Sequence, residues 1–238
     1  MSGCKSINFY FVGSVDYDRW LSMQDRLVAN ARDHDVGQIS LLFCEHPRLI
    51  TIGRSGSRGD IQLDDGALRQ RQTAIRWVCR GGPSIIHGPG QLAIYPIARL
   101  EPLAWSVGQF MTRFHRGILA ALQKSNVKTE THATSHHVWG RGGILSAMGV
   151  AVRHGVVHHG AFLNVNPPMR DYSLVESANS ANLPPATKLS MTCLLAEGHR
   201  PARMTTMRST LVESLATAFE CDNYFLQTNH PLLHSSTT

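Results

Sequence analysis

Arg80-Gly81-Gly82-Pro83-Ser84-Ile85-Ile86-His87-Gly88-Pro89-Gly90-Gln91-Leu92-Ala93-Ile94-Tyr95-Pro96-Ile97 is the stretch whose reading decides the fold. Ile75 to Cys79, just before it, reads as a strand, and Arg80-Gly81-Gly82 turns that strand. His87-Gly88-Pro89-Gly90 is a second, tighter turn, because glycine reaches backbone angles that side chains forbid and proline fixes one of them. Gln91 to Ile97 then resumes as a strand.

On the N-terminal side, Ile7, Phe9 and Phe11 alternate with Asn8 and Tyr10, which predicts a strand near 5–12. Tyr17, Leu21, Gln24, Leu27 and Val28 recur at helical spacing, and Ser14 or Asp16 can cap that helix. Gln38 to Phe43 and Leu49 to Ile52 read as strands separated by Glu45-His46-Pro47, and Gly53 to Gly66 reads as a loop. On the C-terminal side, Leu103, Val107, Phe110, Phe114, Ile118 and Leu122 mark one long amphipathic helix. Residues 124–143 read as a polar loop. Ile144–Val152 and Val156–Val165 read as a β-hairpin, apolar on one face. Residues 166–188 show little periodicity, and Leu211, Leu215 and Phe219 mark a C-terminal helix. Strands interspersed with only three long helices predict a mixed α/β domain rather than a βαβ repeat. The expectation is a single domain over 1–238 with a frayed tail from about 228.

A chain of 238 residues, 42% hydrophobic, has enough apolar material for a full core and fits one large domain or at most two small ones. The formal charge is +6, carried by arginine; Lys5, Lys124, Lys128 and Lys188 are the only lysines. The arginines are dispersed, so nucleic acid is not an expected partner. Cys4, Cys44, Cys79, Cys193 and Cys221 are odd in number and show no CxxC spacing, which excludes a disulfide framework and a zinc-cysteine site. No signal-peptide pattern and no span of about 20 apolar residues is present, so the expected location is cytoplasmic and off the membrane. No phosphate-cradling GxxxxGK[ST] loop is present and no GxGxxG follows a strand, so no nucleotide or other cofactor is expected.

Three blocks, in order, resemble the lipoyl(octanoyl) transferases. The first is Glu45-His46-Pro47 with Thr51-Ile52-Gly53-Arg54. The second is the 80–97 stretch, against that family's RGG…HGPGQL..YPI. The third runs from Gly149-Val150 to His159-Gly160-Ala161-Phe162-Leu163-Asn164-Val165. The resemblance implies a single mixed-sheet α/β domain of the lipoate/biotin protein ligase catalytic type. It implies transfer of an octanoyl group from acyl carrier protein, through an enzyme thioester, to a lysine of a lipoyl domain. Those domains belong to 2-oxoacid dehydrogenases or to the glycine cleavage H protein. No ATP is needed, since the donor thioester is already activated. Carried over by motif, Arg80, Gly81, Gly82, His87, Gly88, Gly90, Gln91, His159, Gly160 and Ala161 are the implied substrate-binding residues.

Two positions depart from that pattern. Where the family has its lysine, this chain has Ile144, and where it has its cysteine, this chain has Ala178, flanked by Ser177 and Asn179. Alanine holds no thioester and isoleucine takes no proton. About six residues are inserted beyond this point, and Ile85 and Ile86 replace polar family residues at the turn. Cys79, directly before Arg80, is the expected replacement nucleophile, with His159 or Lys188 as base; a buried strand cysteine is the plainer reading of Cys79. Two function classes stay open: an acyltransferase with displaced catalytic residues, or a noncatalytic homologue that binds an acyl chain, acyl carrier protein or a lipoyl domain.

His132, His136, His137, His154, His158 and His159 crowd one region, but their spacing fits no standard zinc pattern, and no metal is expected. Neighbours on a strand face opposite sides, so His158 and His159 are expected to point apart.

Overall fold

The computed structural model describes residues 3–34, 36–132, 135–175, 190–198 and 202–234. The N-terminal half runs β1 (Ser6–Ser14), α1 (Tyr17–His34), β2 (Gln38–Glu45), β3 (Leu49–Ile52), α2 (Asp65–Gln70), β4 (Ala74–Trp77), β5 (Ile85–His87) and β6 (Gln91–Arg99). The remainder runs α3 (Leu100–Leu103), α4 (Val107–Lys124), β7 (Val138–Trp139), β8 (Ile144–Arg153), β9 (Val156–Asn164), α5 (Met204–Ala218), β10 (Tyr224–Thr228) and α6 (Pro231–His234). Seven strands form one sheet in the order β10-β1-β2-β6-β9-β8-β7, and a small sheet has the order β4-β3-β5. The expected mixed α/β architecture is borne out: β1 runs parallel to β2 and β10, and the neighbours from β2 to β7 are antiparallel.

The periodicities find their physical reason in two apolar layers on the large sheet. Phe9, Leu41, Phe43 and Ile94 pack with Phe110, Phe114 and Ile118 of α4 and Leu211 and Leu215 of α5. On the other face Leu42, Tyr95 and Phe162 meet Trp20, Leu27 and Val28 of α1. Ile50, Ile52, Leu68, Ile86 and Tyr172 build a third cluster under the small sheet. The β8–β9 hairpin closes through His154 and Gly155, both at positive φ, between the paired residues Arg153 and Val156. Two such residues are the turn that matches strand twist in a two-residue loop.

Three expectations are corrected. The long helix predicted over 103–122 is broken: Ala104 is left-handed, and the Ser106/Gln109 capping box starts α4 afresh at Val107. The loop predicted over 53–66 holds a 3-10 turn at Arg58–Asp60, and Asp64 then accepts from the Ala67 amide to start α2. The polar 124–143 stretch contributes the two-residue strand β7. Beyond the C-terminal helix the chain forms β10, where Tyr224, Phe225 and Leu226 are all exposed, so no alternation announces it. From there it continues through buried His230, whose ring lies tilted 4.5 Å from that of Tyr10, into α6.

Candidate functional site

Arg80 sits at the junction of the two sheets with 0% of its surface exposed. No carboxylate pairs with it among the described residues. Its guanidinium donates to the Thr51 hydroxyl at 2.7 Å, the Thr51 carbonyl at 3.1 Å and the Gly81 carbonyl at 3.0 Å. Burial pulls its pKa down to about 10, with Tyr17 and Tyr95 acting the other way. A cation cannot accept a hydrogen bond, so the Thr51 hydroxyl must pass its own proton on. It faces His87 Nε2 at 2.8 Å. His87 therefore carries its proton on Nδ1, which donates to Gln91 Oε1 at 2.7 Å. Gln91 Nε2 donates to Asn164 Oδ1 at 2.9 Å and to the Tyr172 hydroxyl at 3.2 Å, and Asn164 Nδ2 donates to the Thr192 carbonyl at 2.9 Å. The result is a chain of donors running one way from a buried cation through β3, β5, β6 and β9. Burial foremost, then Arg80, then His46 hold His87 well below the usual histidine range, so it is neutral.

A second set lies beneath α1. His46 follows β2; its Nδ1 lies 2.7 Å from the Val15 carbonyl, which fixes the proton there and leaves Nε2 as acceptor. Nε2 is 2.8 Å from the Tyr95 hydroxyl and 3.7 Å from Cys44 Sγ. Burial lowers His46 to about 4 and raises the Cys44 thiol. The Tyr17 ring lies 5.0 Å from His46 and stacks at 6.0 Å on His87, and Trp20 stacks on Tyr95 at 4.1 Å. The Tyr17 hydroxyl and Trp20 Nε1 are buried with no protein partner among the described residues. The Tyr17 hydroxyl is thus an unused donor within electrostatic reach of the buried Arg80 guanidinium, which suits a carbonyl oxygen that gains negative charge.

The Gly81 turn lies directly on β8. Its amide donates to the Val150 carbonyl at 3.0 Å, and a side chain at Gly149 would come within 2.2 Å of the Gly81 carbonyl. At Gly90 and Gly160 the missing side chain is needed for packing: a Cβ there would strike Pro167 or the Ile94 carbonyl at 2.7 and 2.0 Å. Nothing lies within 4 Å of such a position at Gly88. Gly82 is left-handed, and Ala161 is fully buried in the layer under α4 and α5.

His159 departs from strand geometry. Its φ is +57°, which breaks the alternation and brings its ring to 4.8 Å from that of His158, correcting the expectation that they point apart. The His159 amide donates to Gln24 of α1 at 2.9 Å, and both Nδ1 atoms are buried without a partner among the described residues. Burial lowers His159 to about 3 and His158 to about 4. Cys79 is exposed although adjacent Arg80 is buried, and no hydrogen bond joins Cys79 to His159 among the described residues. Ile144 packs with Trp139, Ala147 and Phe162 in the layer under α1. Ala178 and Lys188 lie outside the described residues. Among the described residues no group of three or more His, Cys, Asp or Glu is placed to hold a metal ion, and no helix is long and apolar enough to cross a membrane.

Thr51, Tyr17, Tyr95, Asn164 and Tyr172 join the site from segments where sequence reading assigned them no role. Cys44 had a signal: it stands two residues before His46 at a strand end, and residues i and i+2 share a face.

The mixed seven-stranded sheet with its small companion defines the catalytic fold of the lipoate and biotin ligases. Lipoate-protein ligase A bound with ATP superposes with a TM-score of 0.73 at 13% identity, over 99% of this chain and 92% of that one. Biotin protein ligase from Aquifex aeolicus with biotin and ATP superposes with a TM-score of 0.51 at 11% identity, over 90% of this chain and 70% of that one. Residues 16–216 match the lipoyl protein ligase A/B catalytic domain family. An octanoyltransferase from Caldicellulosiruptor bescii is 33% identical over 172 residues, 71% of this chain and 75% of that protein. One from Chloroflexus aggregans is 28% identical over 221 residues, 91% and 96%. The chain belongs to the lipoyl protein ligase A/B catalytic domain family.

Proposed function

We propose that the protein serves lipoate biosynthesis by moving an octanoyl group from acyl carrier protein to a lysine of lipoyl domains. The supporting observation is the donor chain headed by buried Arg80, with the unused Tyr17 donor within its electrostatic reach. That arrangement suits the thioester carbonyl as it becomes tetrahedral. The acyl group leaves the carrier thiol and ends as an amide on the acceptor lysine, so no further co-reactant is required. Cys79 is the exposed thiol, with His159 or Lys188 as its base; Cys44 is a buried thiol that touches a histidine.

Ile144 favours a second reading. Where the resemblance places a lysine, the chain puts a residue wholly committed to the apolar layer. A homologue that binds carrier protein or lipoyl domain without chemistry fits that substitution.

Purified protein, octanoyl-acyl carrier protein and an unmodified lipoyl domain, followed by intact-mass spectrometry, separates the two. Octanoylated lipoyl domain is the expected product. An enzyme adduct lost in Cys79→Ser, or instead in Cys44→Ser, assigns the nucleophile. Product without any adduct points to direct attack by the acceptor lysine in an oriented pocket. Carrier binding with neither adduct nor product establishes the noncatalytic reading.

A further inference from the structure

Resting on that reading, we propose that Arg48, Arg71 and Arg170 form the docking surface for the acidic carrier protein that delivers the acyl thioester. Asp171 lies in the 3-10 turn Met169–Leu174 and is itself buried. It pairs with Arg48 from the β2–β3 loop and with Arg71 from the end of α2, the latter at 3.4 Å. Arg170 stands next to Asp171 in sequence and within electrostatic reach of Arg48. Two guanidinium groups thus share one carboxylate, and a third stands beside them. Three positive charges against one negative leave an excess of two, with Arg48 and Arg71 held in place by the buried carboxylate and Arg170 exposed next to it.

Charge decides between donor and acceptor. An acceptor lysine brings an ammonium group, which this rim repels. The donor brings an anion: the phosphodiester of its pantetheine arm, on an acidic protein. Guanidinium groups bind phosphate oxygens in pairs, with geometry that lysine lacks. The cluster also connects inward. Tyr172 follows Asp171, and its hydroxyl takes the Gln91 amide bond. An arm anchored by its phosphate at the arginines would lead its thioester toward the donor chain that begins at Arg80. Next to Arg71 along the chain, a groove of about 420 Å³ is lined by Leu68, Arg69, Gln72, Thr73 and Ile75, with one carboxylate, that of Asp65.

The test is a fluorescence-anisotropy titration of labelled octanoyl-carrier protein with the full chain. Three proteins are compared: wild type, Arg71→Glu/Arg170→Glu, and a control, Arg116→Glu/Lys128→Glu, with the same change in net charge. Arg116 and Lys128 are exposed, on α4 and just after it. Arg48, half-buried on Asp171, is left intact, and equal melting temperatures confirm folding. The patch double is expected to weaken carrier binding by at least about tenfold at low salt and the control by less than about twofold, the gap narrowing as salt screens it. A carrier lacking its arm distinguishes the source of the anion. If it is as sensitive as the armed one, acidic side chains make the contact; if it is insensitive, the phosphodiester does. Equal weakening by both doubles, or by neither, overturns the docking surface. So does loss of lipoyl-domain binding with carrier binding unchanged. A wild-type protein that transfers octanoyl while the patch double binds carrier equally well removes the surface and leaves the function standing. A wild type that binds no carrier removes both.

Discussion

Thr51 holds the buried guanidinium in a neutral environment. Its hydroxyl accepts from Arg80 and donates to His87, and its carbonyl accepts from Arg80 as well. Thr51→Val keeps the shape and removes the hydroxyl, leaving a buried cation and a buried imidazole nitrogen each short of a partner. The expected loss is about 3 kcal/mol, since an unpaired buried group costs roughly 1–3 kcal/mol and more when charged. Thr51→Ser keeps the hydroxyl and is expected to stay within about 1 kcal/mol of wild type. Urea unfolding reads both; a Val variant as stable as the Ser variant would show that the chain of donors does not hold Arg80. Much of this network was legible as letters. Arg80, His87 and Gln91 fall in one block, and Asn164 closes another. What was not legible is the partner set, because Thr51 and Tyr172 reach the block only through tertiary folding. Nor does the sequence show that Cys79 points away from the neighbour it touches along the chain.

Among the elements, β8 carries the turn at Arg80–Gly82 on its back. The amide of Gly81 is bonded to Val150, and only a hydrogen at Gly149 leaves room for the Gly81 carbonyl. Gly149→Ala must push the turn off the strand, because the obstructing atom is backbone and cannot rotate aside. The expected outcome is a destabilised protein, by about 1–3 kcal/mol as for other overpacked sites, with the Arg80 hydrogen bonds lost together. Thermal melting measures the first, and a structure of the variant the second. A variant with unchanged melting temperature would mean that the turn has a second resting place. Strands β1, β2, β3, β6, β8 and β9 were legible as apolar runs that bury most of their residues, and β4 as the run that begins at Ile75. β10 was not: its three large apolar residues are exposed and it gains its conformation from pairing with β1. The break before α4 was written in Ser106 and Gln109, but the apolar period running through Leu103 and Val107 masks it. The left-handed backbone at His159 has no sequence mark, since histidine, though more tolerant of that region than most residues, does not by itself announce it inside a strand.

The molecule as a whole keeps its interior histidines neutral. Burial holds His46 and His137 at about 4 and His159 at about 3, below the ordinary value of 6.5. Above pH 6.5 these groups are neutral folded or unfolded and leave stability unaffected. As pH falls below 6.5 the unfolded chain takes up protons that the folded one refuses, so stability drops until the folded values are reached. Each site contributes at most about 1.4 kcal/mol per pH unit in that window. The melting temperature is therefore expected to fall steeply between pH 6.5 and 4. A flat profile across that window would contradict the buried, neutral state of these rings.

The pairing of β1 with β10 has a consequence for how the chain is made. Phe9 and Leu226, opposite each other in that ladder, come from opposite ends of the sequence. At about 5–20 residues per second, translation separates them by on the order of ten to forty seconds. Through that interval one edge of β1 faces the cell with its amides and carbonyls open, while β2 covers the other. β1 is thus open to mispairing along that edge for as long as β10, the strand that guards it, has yet to leave the ribosome.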